Sequence, residues 1–229
     1  MSSPKWLPME SNPEVMNKFL KNVGVPEQWK ISDIISFDEE YLSKIPRPCL
    51  AVLFLFPKSA KYHEQCEKLE KCEKSEKHEE VFFMKQQITN SCGTVALIHA
   101  IANNVEFLKL GSDSCLRKFI EGAKGKNPQE IGLLLSNCKE IAAVHGASAE
   151  EGQTQTPSED EESKLHFITF VNVGSKLYEL DGLKNSPICR GPTTADTFLQ
   201  DACKICKEHM ERDSDSHNFT ALSFGAASG

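Results

Sequence analysis

Apolar and polar positions divide this chain into a few clear periods. Cys49 to Phe56 is apolar throughout and closed by Pro57, which predicts a central strand buried on both faces. Leu165 to Val173 and Lys176 to Asp181 surround Gly174-Ser175 and predict two strands joined by a tight turn. Asn12 caps a predicted helix with Pro13 at its first position and Gly24 past its end, and Val15, Phe19 and Leu20 share its apolar face. The run Val81-Phe82-Phe83-Met84 reads as a strand ending at Gln86, and a helix starting at Ser91 or Cys92 buries Val95, Leu97, Ile98 and Ile101. Asp113 to Glu121 and Pro128 to His145 predict two further helices. A last helix over about Thr194 to Met210 and a strand from Phe219 to Phe224 follow. Trp29 to Phe37 is short and mixed.

Two stretches have little to bury. Ser59 to Glu80 is dominated by Lys and Glu and reads as a solvated helix or surface segment. His63, Cys66, Cys72 and His78 within it suggest a zinc site, but structural zinc pairs usually stand two to four residues apart, so no metal is expected. Ala149 to Ser163 is almost wholly polar and predicts an exposed loop of a length that commonly has a function.

Composition adds bounds. With 229 residues and 39% hydrophobic content, residues 1–229 are expected to form one domain. No apolar run reaches the roughly 18 residues of a membrane span, and the first residues lack a signal peptide's apolar core. Nine cysteines at irregular spacings suggest reduced thiols in the cytoplasm. Cys203-Lys-Ile-Cys206 lies inside a predicted helix, which favours core or surface thiols over a redox pair. A net charge of −7 argues against nucleic acid and suits a cationic partner.

The candidate chemistry centres on Cys92. A thiol at a helix start feels the positive end of the dipole, which favours the thiolate, and first-turn N–H groups are available to an oxyanion. Inert core is the bland alternative. Gln86 adds a side-chain amide nearby, and Asn90-Ser91 supply turn and cap residues. Of seven histidines, His99 stands two turns from Cys92, roughly 10 Å along the axis, too far to take its proton. His63 and His78 lie in the charged segment, His209 and His217 near the polar C-terminal region, and His145 at a helix end. Only His166 lies within a clear strand, where a polar side chain needs a reason. A two-residue turn at Gly174-Ser175 sets Ile168 opposite Asp181, making His166 and Asp181 diagonal neighbours on one face, whereas a three-residue loop would separate them. Asp181-Gly182 also reads as a simple strand-ending turn.

Phe-Met-Lys-Gln-Gln-Ile-Thr-Asn-Ser-Cys-Gly-Thr, Leu-His-Phe-Ile and Leu-Tyr-Glu-Leu-Asp-Gly together resemble the nucleophile, histidine and aspartate segments of the ubiquitin carboxyl-terminal hydrolases, which are papain-like cysteine peptidases. The resemblance runs from Trp6 to Asp213 and is nearest the short single-domain cytosolic isozymes; it departs mainly over residues 59 to 80. It implies an α/β fold, with a central, largely antiparallel sheet flanked by helices on both sides and a knotted backbone. It implies Cys92 as nucleophile, His166 as base and acid, Asp181 as its orienter and Gln86 as an oxyanion donor. The segment over about 149–163 would cross the active site and limit the leaving group. Ubiquitin would be lined by Pro8, Met9, Glu10, Ser11, Asn12 and Pro13, by Ala149, Glu150, Glu151, Gly152, Gln153, Thr154, Gln155 and Thr156, and by Met210, Glu211 and Arg212. The implied enzyme is a cofactor-free deubiquitinating thiol protease, monomeric and cytoplasmic, acting on small adducts or peptide extensions of ubiquitin. The alternatives are NEDD8 deconjugation or a ubiquitin-stabilising protein with slow turnover.

Overall fold

The computed structural model describes residues 5–64, 66, 78–152 and 163–227. Among them, β1 (Trp29–Asp33), β2 (Cys49–Pro57), β3 (Leu165–Val173), β4 (Lys176–Leu180), β5 (Ile188–Pro192) and β6 (Thr220–Ala226) form one sheet in the order β1-β6-β2-β3-β4-β5. Every neighbouring pair is antiparallel. β6, from the far end of the chain, lies between β1 and β2.

The side-chain period of two along a strand explains the layers. Leu53 and Leu55 of β2 and Phe167 and Val171 of β3 point to one face. There they meet α1 (Pro13–Val23), α3 (Cys92–Ala102), α5 (Cys115–Ala123), α6 (Pro128–Ser136) and α7 (Lys139–Ala149). Val52, Phe54 and Phe56 of β2 and Ile168 and Phe170 of β3 point to the other. That face carries α8 (Phe198–Arg212) and the short α2 (Glu39–Leu42), while a further short helix, α4 (Val105–Leu108), follows α3. The α/β fold with helices on both sides of the sheet agrees with expectation. α3 is buried at all of its positions, so it is a core helix rather than an amphipathic surface one.

α1 forms as expected: Asn12 accepts the Glu14 N–H, Pro13 opens the helix, and Gly24 closes it at φ 95°. The turn between β3 and β4 is the two-residue one, with Gly174 at φ 57°, Ser175 at φ 60° and Val173 paired with Lys176.

Several boundaries depart from expectation. Val81 to Met84 is not a strand, because side chains satisfy its backbone: Asn103 Oδ1 accepts the Phe82 N–H and His99 Nε2 accepts the Met84 N–H. The helix expected over Pro128 to His145 breaks at Asn137-Cys138, and α7 then continues to Ala149, so the polar loop starts later. His145 therefore sits within a helix rather than at its end. Ser59 to Glu80 is not wholly solvated, because Tyr62 is buried. β5 was hidden by Gly191 and Pro192, which an edge strand tolerates. Cys72 and residues 153–162 lie outside the described residues. No described helix is long and apolar enough to cross a membrane.

Candidate active site

One carbonyl organises the approach to the cysteine. Ile88 O accepts from Gln86 Nε2 at 3.0 Å and from Ser91 Oγ at 2.8 Å, and Asn90 turns between them at φ 64°. Because Ser91 spends its hydroxyl there, it makes no side-chain cap on α3, and the first-turn N–H groups are left open at Cys92. The Gln86 amide has two N–H groups. One is fixed on Ile88, which leaves the second for another acceptor.

His166 and Asp181 meet as the hairpin register requires. Asp181 Oδ1 stands 2.7 Å from His166 Nε2 and accepts the Leu183 N–H at 3.0 Å, while Oδ2 accepts the Tyr62 O–H at 2.7 Å. Lys184 Nζ is 3.9 Å from Oδ2. With Nε2 committed to Asp181, Nδ1 is the nitrogen left for the hydrogen bond between His166 and the Cys92 thiol. The two side chains come from opposite faces of the sheet and meet at the start of β3.

The charges follow from these contacts. Burial alone would raise the Cys92 thiol, but its hydrogen bond to His166, the charge there and the Lys58 ammonium bring it below the ordinary thiol value. Burial would lower His166, yet the Asp181 carboxylate and the thiolate raise it to about 9. Burial likewise disfavours the Asp181 charge, and the His166 cation, its hydrogen bond, the Lys184 charge and the Tyr62 donor overcome it, to about 2. This polarisation favours a thiolate beside an imidazolium.

Cys92 lies where two clefts join. One, of about 170 Å³, is lined by Lys58, Gln86, Ile88, His166 and Leu183. The other, of about 250 Å³, is lined by Pro8, Met9, Glu10, Ser11, Ala149, Gly152 and Phe167. Ser163 and Leu165 border both, and Asn90 Oδ1 accepts the Ser163 N–H at 3.0 Å.

The remaining expected contact residues fall differently. Asn12 and Pro13 are the cap and first turn of α1. Glu150 closes α7, and Glu151 pairs with Lys18. Gln153, Thr154, Gln155 and Thr156 lie outside the described residues. Met210 packs on the α8-side core and Glu211 is exposed. Arg212 turns inward, its guanidinium over the Phe56 and Tyr62 rings and its Nε donating to Asp213.

Three other histidines are engaged elsewhere. His99 is buried and held neutral by burial, at about 4. His145 joins α3 to the N-terminal segment: its Nδ1 accepts from Thr94 Oγ1 at 2.7 Å and its Nε2 donates to Leu7 O at 2.8 Å. His209 bonds Glu179 in the core. Cys203 and Cys206 are buried in α8, and burial pushes Cys203 up to about 12. Sequence reasoning missed Tyr62 and Lys184 as partners of Asp181. Tyr62, an aromatic amid Lys and Glu, was the available signal.

Residues 6–211 match the family described as ubiquitin carboxyl-terminal hydrolase, family 1. A ubiquitin carboxyl-terminal hydrolase of Drosophila melanogaster is 42% identical over 226 residues, covering 97% of this chain and 98% of that one. The Homo sapiens ubiquitin carboxyl-terminal hydrolase isozyme L1 is 40% identical over 217 residues, covering 94% and 96%. The crystal structure of the Trichinella spiralis UCH37 catalytic domain bound to ubiquitin vinyl methyl ester superposes with a TM-score of 0.77 at 25% identity, covering 98% of this chain and 96% of that one. Similarity of this extent, in sequence and in the path of the backbone, establishes that the chain belongs to the ubiquitin carboxyl-terminal hydrolase family.

Proposed function

We propose that this protein is a cysteine-type deubiquitinase that hydrolyses the bond after the C-terminal glycine of ubiquitin and releases small adducts or short peptide extensions. The observation that carries this reading is the hydrogen-bonded line Cys92, His166, Asp181 at the junction of two clefts, with the thiol lowered and the imidazole raised. The Cys92 thiolate attacks the glycine carbonyl carbon, and the C–N bond breaks as the His166 imidazolium gives its proton to the leaving nitrogen. A water then attacks the thioester and gives a proton to His166. The C–S bond breaks, which restores the thiolate and imidazolium, and the freed ubiquitin carboxyl gives its remaining proton to solvent. The open N–H of Cys92 and the second N–H of Gln86 are suited to the oxyanion of both steps, and losing one such donor costs about a hundred- to a thousandfold in rate.

Ubiquitin's C-terminal tail fits the cleft that Met9, Glu10, Ser11, Ala149 and Gly152 line. Preference for small leaving groups rests on the segment over 149–163, whose described ends border the clefts through Gly152 and Ser163. The enzyme would be a cytosolic monomer, and the free state of every described cysteine suits reduced thiols there.

Release of a fluorophore from the ubiquitin C-terminus tests the reading, with a NEDD8 conjugate run in parallel. The wild type should release it from ubiquitin faster than from NEDD8, and Cys92→Ala and His166→Ala should each lose at least about a thousandfold. Absence of release by freshly reduced wild type overturns the proposal, and faster NEDD8 turnover reassigns the modifier.

A further inference from the structure

The two clefts at Cys92 are chemically unlike, and His166 distinguishes them. It lines the cleft that contains Gln86 and Leu183 and is absent from the lining of the one that contains Met9 and Glu10. The leaving nitrogen must lie where the imidazolium can protonate it, so the leaving group occupies the His166 side. On that side Leu183 is 39% exposed, one of five exposed large apolar side chains among the described residues. A lone exposed leucine ordinarily needs no explanation. This one is held in place, because its N–H donates to Asp181 Oδ1, the oxygen that also meets His166. The Lys58 side chain borders the same cleft, and its charge acts on the Cys92 thiol.

We propose that Leu183 sets specificity for the first residue of the leaving group, favouring an apolar side chain there, while Lys58 disfavours a cationic one. The inference rests on the hydrolase reading above and deepens it. An apolar side chain at that position covers Leu183 and removes both from water. A lysine there would strand its ammonium beside an apolar surface with another ammonium bordering the same cleft.

The test uses the full chain and ubiquitin carrying a tripeptide extension X-Gly-Gly, with X as Leu, Ala or Lys, alongside the ubiquitin–fluorophore conjugate. The wild type should show kcat/KM for X = Leu above X = Lys by about tenfold, with Ala between. Leu183→Ala should reduce that ratio to about twofold, and Leu183→Glu should invert it in favour of Lys. Equal rates for Leu and Lys by a wild type that releases the fluorophore overturn the inference and leave the hydrolase reading standing. A preference for Leu that persists unchanged in both variants also overturns it. Failure to release the fluorophore or any extension overturns both.

Discussion

At the scale of single residues, Asp181 sets the electrical state of the site. Three donors, from His166, Leu183 and Tyr62, and the nearby Lys184 ammonium surround its carboxylate. Its hold on His166, raised to about 9, predicts that kcat/KM falls on the alkaline side near pH 9 as the imidazolium loses its proton. Asp181→Asn removes the largest influence raising His166, so that limb should move to lower pH, with a rate loss of at least about tenfold. Tyr62→Phe should move it the other way, because a carboxylate relieved of a donor acts more strongly on the imidazolium. A pH–rate profile of the three proteins reads both directions, and a Tyr62→Phe profile that coincides with the wild type would remove Tyr62 from the site. The sign for stability follows from the same shift. Asp181 is depressed to about 2, so its contribution is complete above the unfolded value of about 4 and is lost as the pH falls towards 2. His166 and Asp181 were legible because one hairpin register put them on one face. Tyr62 and Lys184 were not: Tyr62 reaches Asp181 through a tertiary contact from within the Lys/Glu-rich segment, and Lys184 through the conformation of the turn that follows Asp181, which the sequence pattern does not specify.

Among the elements, α6 acts as a buttress for the oxyanion segment. The Lys85 N–H donates to Pro128 O at 2.9 Å, and the Gln86 N–H donates to Gly182 O at 2.8 Å. This suspends Gln86 between the start of α6 and the turn that follows Asp181. A Cβ at Gly132 would stand 2.0 Å from Lys85 O and 2.8 Å from Gln87 Cγ, so the helix and the segment must part. Gly132→Ala should therefore cost about 1–3 kcal/mol in urea unfolding and also lower kcat, since Gln86 moves with its neighbours. Gly146→Ala, on α7 with nothing within 4 Å, is the control and should be neutral or slightly stabilising. Loss of stability without loss of kcat would separate α6 from the chemistry. Periodicity revealed α1, α3, β2 and the β3–β4 hairpin, whose patterns are long or strictly turned. It failed at 81–84, where an apolar run earns its burial through side chains that cap its backbone, and at β5, whose pairing depends on a neighbouring strand.

Across the whole molecule, a buried polar cluster joins the sheet to the last helix behind the site. Glu179 of β4 receives Lys184 Nζ at 3.3 Å, Arg190 Nε of β5 at 2.8 Å and His209 Nε2 of α8 at 3.1 Å. These partners hold its carboxyl well below the usual range despite burial, so its stabilising effect is complete above the unfolded value and fades as the pH falls through the folded one. Glu179→Gln removes the carboxylate that Lys184 and Arg190 share and should destabilise the fold by about 3–5 kcal/mol, read from the urea midpoint at neutral pH. A variant within about 0.5 kcal/mol of wild type would show the cluster to be expendable. The position of β6 between β1 and β2 also fixes the order in which the protein can be completed. While the chain is being synthesised, both flanking strands carry an open edge until residues 220–226 emerge from the ribosome, so the sheet closes only once β6 arrives. A chain that stops before residue 220 would therefore leave a sheet divided through its middle rather than trimmed at its rim, with open edges that invite aggregation.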